Sequence, residues 1–229
     1  MTVSVVVPAY NEERFITPCL RSLLDQDQPF EEIIVVDNNS RDRTAEMARA
    51  CGVRVLRETR QGQSPARNRG FDEARGQIIA RVDADTIVPP GWARRVRAAF
   101  DGGRIDAVTG PTVFYDISLP SLWSGAHRLT YFRAFRLLCG HHALFGSNMA
   151  LSRRIWASIR DTVCMDDRNL HEDMDVTFHI REAGGRVRFD PELQATISAR
   201  RIRKPQSLLV EYPYRFVTTI RKHKGFRWQ

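Results

Sequence analysis

Apolar residues in the first hundred positions fall into short runs separated by amphipathic stretches. V-S-V-V-V (3–7) predicts a buried strand. E-E-R-F-I-T-P-C-L-R-S-L-L (12–24) has helical spacing, with Phe15, Cys19, Leu20, Leu23 and Leu24 on one face and Pro18 restricting where the helix begins. I-I-V-V-D (33–37) predicts a second strand, and D-R-T-A-E-M-A-R-A-C-G (42–52) a helix closed by Gly52. V-R-V-L-R (53–57) predicts a third strand. S-P-A-R-N-R-G-F-D-E-A-R (64–75) predicts a helix capped by Ser64, with Pro65 in its first position. Q-I-I-A-R-V-D (77–83) predicts a fourth strand. Strands alternating with helices imply an open, twisted, mainly parallel α/β sheet covered on both faces, a Rossmann-like nucleotide-type half.

After about residue 115 the regularity ends. L-P-S-L-W-S-G-A-H-R-L-T-Y-F-R-A-F-R-L-L (119–138) is long, aromatic and basic. F-G-S-N-M-A-L-S (145–152) predicts a strand rich in small residues. H-E-D-M-D-V-T-F-H-I-R-E-A-G-G (171–185) predicts a helix, with acidic residues at the positive end of its dipole and glycines at its close. No repeat and no low-complexity linker interrupts the chain. The expectation is one domain over 1–229, with a nucleotide-binding half at 1–115, a more variable half at 116–200 and a basic segment at 201–229.

Composition narrows the class. With 42% hydrophobic and 27% charged residues the chain reads as an ordinary folded one. No apolar run reaches the roughly eighteen residues a spanning helix needs, and the N-terminus lacks the basic start of a secretion signal. Cys19, Cys51, Cys139 and Cys164 are scattered, with no C-x-x-C pair, which fits reduced thiols in a cytoplasmic protein. Net charge is +8, and the only lysines are Lys204, Lys222 and Lys224, so the basic charge is nearly all arginine. Arginine's planar fork suits oxyanions. Charge alone leaves nucleic acid, an anionic membrane surface and phosphorylated substrates open as partners. No recognisable nucleic-acid motif is present, so nucleic acid is set aside.

In an open parallel sheet, ligands bind outside the carboxyl ends of the strands. Here those ends carry Pro8, Ala9, Tyr10, Asn11 and Glu12 after the first strand. Asp37, Asn38, Asn39 and Ser40 follow the second, and Asp83, Ala84 and Asp85 follow the fourth. There is no G-x-G-x-x-G after the first strand and no G-x-x-x-x-G-K-[ST], which disfavours a dinucleotide site and a P-loop. A diphosphate bound without glycine amides needs a cation. Carboxylates spaced D-x-D suit hard Mg²⁺ or Mn²⁺. Either such an ion or a ribose hydroxyl takes up the charge of Asp83 and Asp85.

Taken together, V-V-V-P-A-Y-N-E-E, V-V-D-N-N-S-R-D-R-T, S-P-A-R-N-R-G, V-D-A-D, G-S-N-M-A-L-S-R-R and H-E-D-M-D followed by R-E-A-G-G-R-V resemble the inverting glycosyltransferases of family 2, over about the first 190 residues. The resemblance implies the GT-A fold and transfer of a sugar from a nucleotide-diphosphate sugar to an acceptor hydroxyl, in glycan or glycolipid synthesis of the cell envelope. It implies that Pro8, Ala9, Tyr10 and Glu12 line the nucleobase and ribose pocket, and that Asp37 bonds the base. Asp83 would contact the nucleotide, Asp85 would bind the metal on the diphosphate, and Asp173 would be the catalytic base. A carboxylate on the far side of the sugar from the leaving group gives single displacement with inversion. Many relatives carry a histidine or a Q-x-x-R-W segment after the E-D helix. This chain reads T-I-S-A-R-R-I-R there, which offers Arg200, Arg201 or Arg203 for leaving-group electrostatics.

Several positions keep two readings. Arg67 contacts a phosphate or pairs with an acidic neighbour. Glu172 supports the site or, like Asp175, simply favours a helix N-terminus. His171 reads as a surface residue or as one supporting the site residues, rather than as a metal ligand. Segment 119–138 either packs against the protein or lays Trp123, Tyr131, Phe132 and Phe135 on a membrane, with a lipid-linked acceptor and a place at the inner membrane face. I-I-A-R-V-D-A-D-T also looks like the D-x-D-x-T of haloacid-dehalogenase-type phosphatases. That motif belongs on a first strand, and its lysine should precede the last acidic motif, whereas every lysine here follows H-E-D-M-D. A non-catalytic nucleotide-binding module is the remaining alternative.

Overall fold

The computed structural model describes the chain apart from residues 119–122, 124, 126, 127, 166–168, 201, 202, 204, 205 and 225–229. The N-terminal alternation appears as predicted: β1 (Val3–Ala9), α1 (Ile16–Leu24), β2 (Glu32–Asp37), α2 (Thr44–Ala50), β3 (Arg54–Arg57), α3 (Gln63–Glu73) and β4 (Ile78–Arg81). There follow β5 (Thr86–Ile87), α4 (Trp92–Phe100), β6 (Ala107–Thr109) and β7 (Thr112–Phe114). A π-helical turn at Arg128–Arg133 leads into α5 (Ala134–Cys139), then β8 (Met149–Ser152), α6 (Arg153–Ile159) and α7 (Glu172–Glu182). Strands β9 (Val187–Phe189) and β10 (Ala195–Ile197) precede a second π-helical turn (Ser207–Glu211) and α8 (Tyr212–Lys224).

Seven strands form one sheet in the order β3-β2-β1-β4-β8-β6-β9. Among the described residues of this sheet, β8 alone runs antiparallel to its neighbours. Strands from the second half of the chain thus complete the sheet begun by the first. Side chains alternate across it. Val3, Val5 and Val7 join α1, α2 and α4 in one core, while Val6, Ile34 and Val36 join α3, α6 and α7 in the other. Both cores exclude water, and each buried Val, Leu or Ile side chain contributes about 1.5–3 kcal/mol of transfer free energy.

Local expectations failed in two places. Gly62, at φ 144°, precedes α3 as its cap residue, so Ser64 lies within the first turn and Pro65 stands third. Proline is still tolerated there because first-turn N–H groups lack intrahelical partners. Leu24, read as part of the buried face of α1, is 48% exposed; it sits at the helix's last position, beyond the reach of the sheet.

The strand order reverses between β1 and β4, which opens a crevice at their carboxyl ends. A second sheet, β5-β10-β7, stands beside this crevice. It begins immediately after Asp85 and carries Tyr115, Asp116 and Ser198–Arg200 just beyond its strands.

Candidate active site

At the rim, Ala9 ends β1 directly beside Asp37, which ends β2, with Pro8 opposite Val36. The chain then turns at Asn11, which holds a left-handed φ of 54°, a conformation asparagine tolerates better than most residues. Tyr10 is left 45% exposed over the crevice and Glu12 is turned inward. The two rim loops brace each other. Ser40 Oγ accepts from the Asn11 N–H at 3.0 Å, Asn11 Oδ1 accepts from the Arg41 N–H at 2.8 Å, and Thr44 Oγ1 accepts from the Glu12 N–H at 2.7 Å. Asn38, beside Asp37, is buried with its amide fully engaged. It donates to the carbonyls of Glu58 and Arg60, at 3.1 and 2.7 Å, and accepts from Gln61 and the Gly62 N–H, at 3.2 and 2.8 Å.

The two D-x-D carboxylates part company. Asp83 accepts from Arg81 at 3.1 Å and from Ser147 Oγ at 2.7 Å. Asp85 accepts from Arg200 Nε at 2.9 Å. The other edge of the Arg200 guanidinium bonds Glu12 Oε1, and its Cζ lies 4.6 Å from the Phe15 ring centroid. Asp116 fixes the approach of Arg200 by accepting from Ser198 Oγ and the Ala199 N–H, both at 2.6 Å. Each aspartate therefore has an arginine partner of its own, which explains how like charges coexist at one strand end.

Carboxylate fields converge here. The Cys19 thiol beneath the rim is pushed far up by burial and then by Asp85, Asp83 and Glu12. Tyr115, whose hydroxyl donates to the Asp85 carbonyl at 3.3 Å, is pushed up to about 12 by burial and by Asp85. Glu12 Oε2 is buried without a hydrogen-bond partner among the described residues. An orphaned hard oxygen beside a second carboxylate fits Mg²⁺ or Mn²⁺.

Behind the rim lies a buried ionic cluster. Arg67 and Arg81, both fully buried, each bond one oxygen of Glu172. Arg67 also reaches the Glu172 carbonyl at 2.8 Å and Asn68 Oδ1 at 2.9 Å. Of the two readings of Arg67, the acidic neighbour is the one the structure supports, and a fully covered guanidinium does not face a phosphate at the rim. Burial alone would raise the Glu172 carboxyl, but Arg81 and Arg67 hold it below the ordinary range.

Asp173, the next residue on α7, goes the other way: burial, then the Glu172 charge, raise it. Its oxygens accept from the Gly146 N–H at 3.1 Å and the Met174 N–H at 2.8 Å. Tyr131 donates to the Leu144 carbonyl at 2.8 Å, and its phenol is pushed well up by burial and then by the Asp173 charge. Two neighbouring carboxyls with affinities pushed apart are the arrangement that acid–base chemistry needs.

Gly146 shows how tightly this cluster is built. A Cβ there would lie 2.7 Å from Arg81 Cζ. Gly146→Ala is expected to cost about 1–3 kcal/mol by overpacking, read as a lowered urea midpoint.

Sequence reasoning placed Asn38 on the rim without a role, read Tyr131 only as a packing or membrane residue, and missed Arg81, Tyr115, Gly146 and Ser147. Arg81 and Gly146 stood inside quoted motifs, but nothing in their spacing told which face they take. His171 stacks on Tyr212 with ring centroids 5.5 Å apart, and its backbone N–H donates to Thr219 Oγ1 at 2.9 Å, so it packs against α8. Phe132 and Phe135 are buried, so they pack against protein and are unavailable to a membrane, while Trp123 is 41% exposed. Other parts of 119–138, and Arg201, lie outside the described residues. The phosphatase reading fails on position, since the D-x-D follows β4, and on its lysine, since Lys222 bonds Asp175 on α7.

Known proteins are similar to this chain in sequence and in fold. Glycosyltransferase AglE of Haloferax volcanii is 34% identical over 120 residues, 49% of this chain and 40% of AglE. The undecaprenyl-phosphate 4-deoxy-4-formamido-L-arabinose transferase of Pseudomonas aeruginosa is 38% identical over 99 residues, 38% of this chain and 29% of that protein. The chain thus spans less than half the length of these curated relatives. Glucosyl-3-phosphoglycerate synthase from Mycobacterium tuberculosis, solved with Mn²⁺, UDP-glucose and phosphoglyceric acid, superposes with a TM-score of 0.71 at 22% identity, over 99% of this chain and 80% of that one. The GT-A fold is therefore shared. The profile of glycosyl transferase family 2 matches residues 4–159, well over half of the sequence, and the chain belongs to that family.

Proposed function

We propose that this protein transfers a sugar from a nucleotide-diphosphate sugar to an acceptor hydroxyl, with inversion, in a reaction that depends on a divalent metal. The observation that carries the reading is Asp173: a buried carboxyl of raised proton affinity, beside a carboxyl of lowered affinity, behind the rim where ligands of such sheets bind. In this reading Asp173 takes the acceptor's proton as the hydroxyl attacks the anomeric carbon. Pro8, Ala9, Tyr10, Glu12, Asp37 and Asp83 receive the nucleoside. Asp85 would hold the ion, with Glu12 close by, and the ion when bound would neutralise charge growing on the diphosphate. Arg200 can exchange its carboxylate partners for the leaving diphosphate and add a second positive charge there.

The acceptor is proposed to be a glycan or a lipid-linked sugar of the cell envelope, reached from the cytoplasmic face of the membrane. The polyprenyl phosphate in the name of the Pseudomonas aeruginosa relative supports a lipid acceptor. So do the exposed Leu137 and Leu138, which follow the exposed Arg133 and Arg136 on one segment. No helix among the described residues is long and apolar enough to cross a membrane.

A thermal-shift screen of UDP, GDP and dTDP, each with and without Mn²⁺, tests the donor site. One diphosphate is expected to raise the melting temperature only when Mn²⁺ is present, because ligands that bind only the folded state stabilise it. Asp85→Asn should remove that shift. A shift of equal size without metal would refute the role given to Asp85.

A further inference from the structure

A second polar cluster lies on the other side of the same helix. Asp173 and Asp175 are two residues apart on α7, about 200° around the helix axis, so they face in nearly opposite directions. Asp175 is fully buried and meets the C-terminal helix α8. Its Oδ1 accepts from Lys222 Nζ at 2.9 Å and lies 2.9 Å from His223 Nε2, while its Oδ2 accepts from the Cys164 N–H at 2.7 Å. One turn further along α7, His179 turns its Nε2 to within 3.8 Å of Asp175 Oδ2. One ligand atom from each of Asp175, His179 and His223 lies within 4.8 Å of the others.

The outer side of both rings is held by one carboxylate. Glu182 lies 3.2 Å from His179 Nδ1 and 3.5 Å from His223 Nδ1. His223 Nε2 lies at donor distance from Asp175 Oδ1 in the ion-free protein; with the proton of each neutral ring on Nδ1, facing Glu182, both Nε2 lone pairs would be free for an ion. This is the carboxylate–histidine arrangement that orients metal-binding imidazoles. In that tautomer two imidazole nitrogens and the Asp175 carboxylate would face one region, where Lys222 now supplies the positive charge and a metal ion could replace it. His179 Nε2 is buried and has no hydrogen-bond partner among the described residues. The rings are also fixed in place: His223 stacks on Phe178 at 4.5 Å and 9°, and His179 meets it edge-on at 5.0 Å. Lys222, which bonds Asp175, has to move for an ion to enter, and with its side chain 41% exposed it has solvent to move into.

We propose that Asp175, His179 and His223 form a second metal centre, separate from the sugar-nucleotide rim, which takes Zn²⁺ or a similar borderline divalent ion. Two imidazole nitrogens and one carboxylate oxygen suit such an ion, with water in the fourth position. Hard Mg²⁺ and Mn²⁺ prefer the all-oxygen set of the rim. The ion ties α8 to the helix that carries Asp173.

The test uses the full chain, stripped with a chelator and titrated with Zn²⁺ against a chromophoric competitor, then with Co²⁺ read by its d–d absorption. One equivalent is expected to bind to the unsubstituted protein and to Asp85→Asn. His179→Gln and His223→Gln should each lose it, and Glu182→Ala should bind about 10–100-fold more weakly. His223 helps dock α8, so the His179→Gln variant, checked for native circular dichroism, decides the matter if His223→Gln fails to fold. Absence of Zn²⁺ binding to the unsubstituted protein, or undiminished binding by folded His179→Gln, overturns the proposal. Loss of binding in Asp85→Asn alone would assign the ion to the rim and overturn it too.

Discussion

Asp173→Asn is expected to lower turnover by about 10²–10⁴-fold, the usual contribution of a positioned base, while nucleotide-diphosphate binding stays near that of the unsubstituted protein. Asparagine keeps the size of the side chain, and its carbonyl oxygen can still accept from the Gly146 N–H, as Asp173 does at 3.1 Å. What it lacks is the capacity to take a proton. Isothermal titration of the donor product, alongside single-turnover rates, separates the two effects. Retained turnover with normal binding would exclude Asp173 as the base.

The pH profile gives an independent reading. The Asp173 carboxyl is raised by burial and by the Glu172 charge. A base works only when deprotonated, so kcat/KM should fall as pH drops through that raised value. The acid limb should therefore lie above the range of an ordinary aspartate, and Asp173→Asn should abolish it.

Glu172→Gln is expected to have the largest effect on stability, a loss of about 3–5 kcal/mol, as when one partner of a buried ion pair is removed. Among the described residues, glutamine leaves Arg67 without a carboxylate partner and Arg81 with Asp83 alone. Urea unfolding at neutral pH measures the loss. The sign with pH follows from the lowered Glu172 carboxyl. Its contribution is complete above the carboxylate range of the unfolded chain and disappears as pH falls through the still lower folded value. Glu172→Gln should therefore flatten the acid side of the stability curve. A midpoint within error of the unsubstituted protein would mean that the two guanidiniums are solvated or paired elsewhere.

Much of this architecture was legible in the residues. The apolar runs of β1, β2 and β4 are buried on both sides, which makes them continuous and easy to read. The rim residues Glu12, Asp37, Asp83 and Asp85 could be assembled because strand ends in such sheets converge. Three kinds of feature were hidden. The direction of β8 was not encoded in M-A-L-S, since an antiparallel central strand has the same apolar composition as a parallel one. The burial of Arg67 and Arg81 was invisible because charged residues are almost never fully covered unless paired, and their partner Glu172 lies 105 and 91 residues away. The C-terminal segment reads as a basic tail, yet Phe216 and Ile220 pack against Phe135, Met174 and Phe178, so part of it is a working helix.

The position of β8 also bears on how the chain reaches this state. Ile78–Arg81, whose four residues are all covered in the finished protein, has β1 on one flank and β8 on the other. That second flank arrives only at Met149. During synthesis β4 must wait, as an uncovered apolar edge, for some seventy further residues, and exposed edges of this kind recruit other chains. Arg81 closes that strand, and a charged residue on an uncovered edge discourages pairing with other chains.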